Sequence, residues 1–170
     1  MNKDGSSETN KLVTAGEFGV YLETVGIKST PLGKDSSGTE MIEIQSKDLI
    51  SACTSLKKNK KMFYLSNMTG LEYKKGFVSS IQLESPEEKK YLVIKITVPK
   101  NNPVVPSLTG LYASGNWLER ESWDLMGIKY EGHSDLRRIL NPDNWEGHPL
   151  RKDYIGPIDS LNEPIHYANK

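Results

Sequence analysis

The spacing of apolar residues predicts two helices and a short strand in the first third of the chain. Apolar side chains at positions 18, 21, 22 and 25 recur with the period of a helix, so we predict a helix from Val13 to Val25 that ends at Gly26. A short strand is predicted from Thr39 to Ile44. A second helix is predicted from Lys47 to Lys57, because Ser46 is a suitable N-cap.

Three β-rich runs follow these helices, from Met62 to Asn67, from Gly76 to Leu83 and from Tyr91 to Val98. Turn residues at Gly70 and at Ser85 to Glu88 separate the runs. The third run alternates poorly at its start, which indicates a central strand. The pattern therefore predicts an α+β fold, in which a small mixed or antiparallel sheet carries helices on one face.

The chain changes character after Val98, because seven of its nine prolines fall beyond that residue. Long regular elements are excluded there. Two short helices are still predicted, from Ser107 to Tyr112 with Ser107 as the cap, and from Leu118 to Met126 with Gly127 as the terminating glycine. The remainder is predicted to be a long Pro-rich extended C-terminal segment.

This division predicts four parts. Residues 1–10 are polar and are predicted to be a disordered N-terminus, and residues 11–115 form the α+β domain. Residues 116–140 supply a helix and a loop, and residues 141–170 form an extended tail. The tail keeps too many apolar side chains for a free disordered segment, so we predict that it lies against its own domain or, preferably, binds a partner.

Composition excludes several classes of function. The 170 residues carry 22 basic and 22 acidic side chains, so no global field favours a polyanion such as DNA. The lysine run at residues 57–61 lacks arginine and is typical of a solvated helix end rather than a phosphate site. No stretch of roughly 20 apolar residues is present and the first residues lack the apolar core of a signal peptide, which predicts a peripheral chain on the cytoplasmic side of a plasma or thylakoid membrane.

Candidate chemistry centres on three carboxylates, Glu119, Glu121 and Asp124, together with His133. They could serve as acid and base in a stand-alone enzyme. The simpler interpretation is a set of salt bridges, because Arg120 and Asp124 stand at i,i+4 on the predicted helix. We prefer the salt bridges, and we therefore predict no catalytic residue in the isolated chain.

Metal and cofactor binding are not supported by the spacing of ligand residues. His133 and His148 are fifteen positions apart and each follows a glycine, which favours a structural hydrogen bond over a ligand role. Cys53 is the only cysteine, whereas an iron–sulfur cluster usually needs about four thiolates. No glycine-rich phosphate loop occurs. We predict that this chain binds no cofactor.

Arginine and tryptophan are confined to one short window of the sequence. Residues 117–151 hold all three tryptophans and all four arginines. These two residue types are enriched at desolvated protein interfaces, whereas lysine is depleted there. The window is therefore predicted to contact another protein.

A run of motifs occupies this window and the residues just after it: Glu119-Arg120-Glu121, Trp123 to Gly127, Gly132-His133, Arg137 to Leu140 and Gly147 to Tyr154. The run resembles a known family, the 30-kDa subunit of respiratory complex I, which has members in the bacterial NADH:quinone oxidoreductase and in its photosynthetic relative. Weaker similarity extends upstream, so that the resemblance covers roughly residues 60–155. His148 matches the bacterial branch while Pro31 to Asp35 is similar to the photosynthetic branch, and both branches stay open.

The resemblance implies a cofactor-free subunit in the peripheral arm of a proton-translocating NAD(P)H or ferredoxin:quinone oxidoreductase. The subunit would brace a 49-kDa-type quinone-site subunit and the iron–sulfur subunits, in a complex that uses quinone, iron–sulfur clusters and FMN with NADH as cofactors. A related membrane-bound hydrogenase or dehydrogenase is the alternative. The residues predicted at the subunit interface are Trp117, Glu119, Arg120, Glu121, Trp123, Asp124, His133, Arg137, Arg138, Trp145, His148, Arg151, Asp153 and Tyr154.

Overall fold

A computed structural model describes residues 13–156, so the predictions for residues 1–10 and for the part of the tail beyond 156 lie outside it. Within this range the chain is α+β, as predicted. The helices are α1 (Glu17–Thr24), α2 (Leu49–Asn59) and α3 (Gly115–Met126), and a 3₁₀ turn at Ser46–Asp48 precedes α2. The strands are β1 (Ser29–Lys34), β2 (Glu40–Ile44), β3 (Tyr64–Tyr73), β4 (Gly76–Ser85), β5 (Lys90–Val98), β6 (Val104–Pro106) and β7 (Lys129–Glu131).

Five strands form one mixed sheet in the order β1-β2-β5-β4-β3. β2 and β5 run parallel, whereas the other neighbouring strands in this sheet are antiparallel. The prediction that the Tyr91 to Val98 run is central is confirmed, because β5 lies third of the five strands. Strands β6 and β7 form a separate two-stranded parallel sheet.

All three helices contribute to one hydrophobic core on one face of the five-stranded sheet. Ile42, Ile81 and Ile94 point into this core from β2, β4 and β5. Leu22 of α1, Leu56 of α2 and Met126 of α3 pack in the same cluster. Cys53 is fully buried there, and burial raises the pKa of its thiol to about 12. Cys53 is therefore a small core residue rather than a nucleophile.

Buried hydroxyl groups tie the small sheet to the large one. The Tyr130 hydroxyl donates a hydrogen bond to the Ser122 hydroxyl at 2.9 Å and is 3.1 Å from the Ser79 hydroxyl. Ser79 belongs to β4, Ser122 to α3 and Tyr130 to β7. Burial raises the pKa of Tyr130 to about 12, so its hydroxyl stays protonated and holds these three elements together.

Several predicted boundaries were wrong for identifiable reasons. Strand β1 was missed because Pro31 and Gly33 lower its strand propensity, although an edge strand tolerates both residues. Ser46 starts the 3₁₀ turn and makes no side-chain cap, so α2 begins only at Leu49. Residues 107–112 form no helix, and a turn occupies residues 109–111.

Gly70 lies inside β3 and is not the turn residue that its type suggested; the β3–β4 turn is at residues 74–75. A Cβ atom at Gly70 would lie 2.9 Å from the Met126 Cγ atom and 3.0 Å from the Ile128 Cδ1 atom. The missing side chain is therefore what lets the end of α3 lie close to β3. Close approach of two elements is a recognised use of glycine in a strand.

We predict that Gly70→Ala lowers the free energy of unfolding by about 1–3 kcal/mol, because the added methyl overpacks the contact with Met126 and Ile128. Urea unfolding followed by circular dichroism measures this change. Gly110→Ala is the matched control, since a Cβ atom at Gly110 meets no atom within 4 Å. Equal stabilities for the two variants would contradict this account of the α3–β3 contact.

Candidate functional site

Helix α3 positions the charged residues that the sequence singled out. It ends at Gly127, as predicted, where φ is +75° and the backbone N–H bonds to the Trp123 carbonyl at 2.8 Å. Such a left-handed residue strongly favours glycine. The ring of His148 lies against Gly127, where a Cβ atom would approach the ring to 2.6 Å. Gly127 thus terminates the helix and leaves room for the His148 ring of the C-terminal segment.

Asp124 is the centre of the site and is fully buried. Its Oδ2 atom accepts hydrogen bonds from the backbone N–H groups of Ile139, Leu140 and Asn141 at 2.8–3.0 Å. Its Oδ1 atom accepts from the Asn141 side-chain amide at 2.9 Å and from the Arg138 guanidinium at 2.6 Å. We call residues 124 and 138–141 the Asp124 cluster. One carboxylate thereby fixes the fold of a whole loop.

Arg138 continues this cluster towards the C-terminus. Its Nη2 atom donates to the carbonyl oxygens of Trp145 and Gly147, at 2.5 and 3.0 Å, while Nη1 bonds to Asp124. The guanidinium also lies 5.5 Å from the centre of the Trp123 ring. Only 10% of the Arg138 side chain is exposed. A single arginine therefore joins α3 to residues 145–147.

Arg120 does not pair with Asp124, and the predicted i,i+4 salt bridge is wrong. Its guanidinium instead donates to the carbonyl oxygens of Arg137 at 3.1 Å and Arg138 at 2.9 Å. It is only 4% exposed and lies 5.2 Å from the centre of the Trp117 ring. The arginine reaches the loop because Asp124 already has its full set of donors from residues 138–141. Arg120 therefore stabilises the same loop from its other end.

Glu119 anchors the segment that precedes α3. Its carboxylate accepts from the Leu108 backbone N–H at 2.6 Å and from the Ser107 hydroxyl at 2.7 Å. Burial raises the pKa of Glu119, an effect that these hydrogen bonds only partly oppose. Ser107, predicted as a helix cap, acts here as a partner of this carboxylate.

His133 and His148, the two histidines that the sequence singled out, make structural hydrogen bonds. The His133 Nδ1 atom accepts from the Asp135 backbone N–H at 3.0 Å, and its Nε2 atom lies 3.2 Å from the Asn116 carbonyl oxygen. The His148 Nδ1 atom lies 3.0 Å from the Asp124 carbonyl oxygen, and its ring packs edge-on to Trp123 at 6.0 Å. Both rings therefore hold backbone groups in place.

The last described residues are fastened to the sheet. The Lys152 backbone N–H donates to Glu72 at 2.6 Å, and Glu72 also pairs with Lys100. The Arg151 guanidinium lies 4.9 Å from the Phe77 ring centre and pairs with Asp153 at 3.1 Å. Sequence reasoning missed this role of Glu72, because its partner Lys152 is 80 residues away along the chain. No local pattern could have indicated it.

The predicted interface residues divide into an internal and an external set. Glu119, Arg120 and Asp124 are buried against this chain's own backbone, so their charges are already satisfied without a partner. Asn141, which was not predicted, belongs to the internal set, and the Asn-Pro pair that it begins was the available signal. The exposed residues among those predicted are Trp117, Glu121, Arg137 and Asp153, and the large apolar residues exposed in the same segment are Leu140, Leu150 and Ile155.

The candidate carboxylates of α3 lie in separate environments. Glu119 and Asp124 have their carboxylate oxygens occupied by donors, while Glu121 is exposed and separate from them. Residues 13–156 contain no group of three or more His, Cys, Asp or Glu side chains that could hold a metal ion. In the same range, no helix combines the length and apolar character needed to cross a membrane.

We predict that Asp124 makes stability fall in acid. Burial alone would raise its pKa, but the hydrogen bonds from Asn141, Ile139 and Arg138 outweigh burial and hold the pKa of Asp124 well below its ordinary value of 3.8. Its stabilising contribution is therefore complete above pH 3.8 and is lost as the pH falls below that value. Urea unfolding at several pH values should show a smaller acid loss in Asp124→Asn. A parallel pH dependence in the two proteins would refute this assignment.

The sequence matches the profile of a described family over most of the site. The family is "Respiratory-chain NADH dehydrogenase, 30 Kd subunit", and the match covers residues 42–159. A subunit of the NADH-quinone oxidoreductase of Trichlorobacter lovleyi is 40% identical over 125 residues, covering 71% of this chain and 77% of that protein. A subunit of the chloroplastic NAD(P)H-quinone oxidoreductase of Chaetosphaeridium globosum is 36% identical over 151 residues, covering 84% and 88%.

Solved structures share the fold at lower identity. The trypsin-resistant fragment of Nqo5 superposes with a TM-score of 0.58 at 24% identity, covering 69% of this chain and 95% of that one. A chain of the membrane-bound sulfane sulfur reductase, an archaeal respiratory membrane complex, superposes with a TM-score of 0.64 at 17% identity and covers 82% of both chains. The fold, the run of motifs and the family match agree, and the chain belongs to the family of the respiratory-chain NADH dehydrogenase 30-kDa subunit.

Proposed function

We propose that this chain is a structural subunit of a membrane-bound quinone oxidoreductase and that it braces the subunits that carry electrons to quinone. The observation that carries the proposal is the Asp124 cluster, in which buried charges fix backbone rather than line an open catalytic pocket. A carboxylate with five donors is a rigid element, not a proton carrier. The catalytic activity then belongs to the complex and not to the isolated chain.

The proposed partners are a 49-kDa-type quinone-site subunit and the neighbouring iron–sulfur subunits. The relatives in Trichlorobacter and Chaetosphaeridium are themselves named as subunits of quinone oxidoreductases. Quinone, iron–sulfur clusters and FMN would be bound by other subunits of the complex. The residues between 13 and 156 contain no group of three or more His, Cys, Asp or Glu side chains that could hold a metal ion. Attachment to the cytoplasmic side of the membrane would then be indirect, through those subunits.

The proposed contact surface is the outer side of residues 117–155. Trp117 is 58% exposed, Leu140 61%, Leu150 59% and Ile155 75%. The Leu140 backbone N–H is held by Asp124, and the Leu150 backbone N–H donates to the Leu125 carbonyl oxygen. Large apolar side chains on a preorganised backbone lose little conformational entropy on binding. Trp117 is the candidate anchor, because tryptophan dominates binding energy at protein interfaces.

Affinity purification from gently solubilised membranes tests the proposal. The chain would carry an N-terminal tag, and mass spectrometry would identify the proteins that co-elute. We expect cysteine-rich iron–sulfur proteins and polytopic membrane proteins in amounts comparable to the tagged chain. Recovery of the chain alone would contradict the proposal and would direct attention to Glu121 and His133 as catalytic candidates.

The same experiment identifies the electron donor. A co-eluting flavoprotein with a nicotinamide site would indicate NAD(P)H, whereas a ferredoxin-docking subunit would indicate ferredoxin. Hydrogenase subunits would instead support the alternative of a related complex. The fold shared with the sulfane sulfur reductase chain is compatible with that alternative. The identity of the co-eluting subunits would therefore name the donor.

A further inference from the structure

The five-stranded sheet carries helices on one face, while its opposite face carries none among residues 13–156. Strand register places the side chains of the open face in rows across the sheet. Thr30, Glu43, Lys95 and Ser80 follow one another across β1, β2, β5 and β4. A sheet with one uncovered face is common only when that face is polar, so the composition of this face decides whether it needs a partner.

Two adjoining concave regions cross this open face and share Glu43 and Thr97. The larger has a volume of about 700 Å³, and Val78, Leu32 and Tyr73 line its apolar part. The smaller has a volume of about 300 Å³. We call the combined feature the lysine groove, because its charged lining consists of Lys28, Lys74, Lys75 and Lys95 together with Glu43.

The lysine groove has an excess of positive charge in a chain whose net charge is zero. None of its four lysines forms a salt bridge with any carboxylate in the described part of the chain. Its only acidic side chain, Glu43, accepts a hydrogen bond from the Thr97 hydroxyl. The lysine side chains are therefore available to an acidic ligand, and their long stems can cover apolar atoms of that ligand.

We propose that the lysine groove binds an extended acidic segment of a neighbouring subunit. This inference rests on the proposed function, since another subunit has to supply the segment. The groove crosses five strands, which is about 19 Å at the usual strand spacing, and an extended segment of about six residues spans that distance. Acidic side chains would meet the lysines, while apolar side chains would lie on Val78 and Tyr73.

A polypeptide fits the groove better than a phosphate-bearing ligand does. Lysine pairs with both phosphate and carboxylate groups, so the charges of the groove do not distinguish the two ligands. The apolar lining does, because a phosphate group would leave Leu32, Tyr73 and Val78 uncovered. A segment that alternates acidic and apolar side chains would pair with the lysines and cover the apolar residues of the groove.

Zero-length carbodiimide cross-linking of the purified complex tests the inference, because this reagent joins a lysine only to a carboxylate in direct contact. Cross-links from Lys74, Lys75 and Lys95 to aspartate or glutamate residues of one other subunit are expected. In the double variant Lys74→Glu/Lys75→Glu, the cross-link from Lys95 should fall by about tenfold, because two attractive charges become repulsive. The double variant Lys47→Glu/Lys58→Glu is the control, since both lysines are exposed and lie outside the groove.

Other outcomes would overturn the inference. Cross-links solely to Asp159 or Glu163 of this chain would assign the groove to its own C-terminal residues. Recovery of the full complex without any cross-link from the groove lysines would remove the docking site while leaving the proposed function intact. Failure to recover any complex with the unmodified chain would refute the proposed function, and the docking inference with it.

Discussion

Asp124→Ala is expected to lower the free energy of unfolding by about 3–5 kcal/mol, which is the usual cost of removing one partner of a buried ion pair. The substitution leaves the Arg138 guanidinium and three backbone N–H groups without their acceptor. We expect the amides of residues 139–141 to lose their protection from hydrogen exchange. The core amides of β5 should still exchange only when the whole protein unfolds. Chemical unfolding and hydrogen-exchange mass spectrometry measure the two effects.

Two further variants make this result specific. Asp124→Asn keeps the shape of the side chain and one acceptor oxygen, so it should lose less stability than Asp124→Ala. Glu121→Ala removes a nearby carboxylate that is exposed and makes no hydrogen bond within residues 13–156, and it should change the free energy of unfolding by less than about 0.5 kcal/mol. If Glu121→Ala were as damaging as Asp124→Ala, the destabilisation would reflect the charge of α3 and not the Asp124 cluster.

The elements of the fold that could be predicted from the sequence are those whose cause is local. Gly127 terminates α3 because a helix end in the left-handed region needs glycine, and the chain has one at the right position. The turn at residues 86–89, predicted at Ser85 to Glu88, and the central position of β5 also follow from residues within each segment. Local chemistry therefore accounts for the α+β class and for most strand positions.

Features that depend on packing between distant segments could not be predicted in this way. Glycine is a residue type typical of turns, but Gly70 lies inside β3. Its position is explained by close contact with Met126 and Ile128, more than 50 residues later. Likewise, Arg120 and Asp124 have the spacing of a helical ion pair, yet the loop at residues 137–141 supplies the partner of each. Helical spacing identifies which pairs can meet, and tertiary structure decides which of them do.

The division of the charged residues into internal and external sets changes the meaning of the family motif. Its acidic and basic residues were expected to contact another subunit, whereas Glu119, Arg120 and Asp124 contact this chain. Under the proposed function they would act on a partner indirectly, because Asp124 fixes the Leu140 backbone and Arg120 packs on the Trp117 ring. Mutations inside the motif should therefore impair assembly through the shape of the surface and not through the loss of intersubunit ion pairs.

Arg138→Ala is the sharpest test of this indirect role. Removing the guanidinium leaves the buried Asp124 carboxylate without its ion-pair partner and frees the carbonyl groups of Trp145 and Gly147. The expected loss is again about 3–5 kcal/mol, because a buried charge is left uncompensated. Residues 138–150 would then no longer present a fixed surface, and the yield of assembled complex recovered through an N-terminal tag should fall severalfold.

Lys58→Ala is the matched control for Arg138→Ala, because it also removes one positive charge but from an exposed position at the end of α2. It should leave the yield of complex unchanged. Arg138→Lys separates charge from geometry, since lysine keeps the charge but cannot donate to Asp124 and to two carbonyl groups in the same fork. We expect Arg138→Lys to resemble Arg138→Ala in assembly. Equal yields for Arg138→Ala and Lys58→Ala would show that the Asp124 cluster does not shape the contact surface.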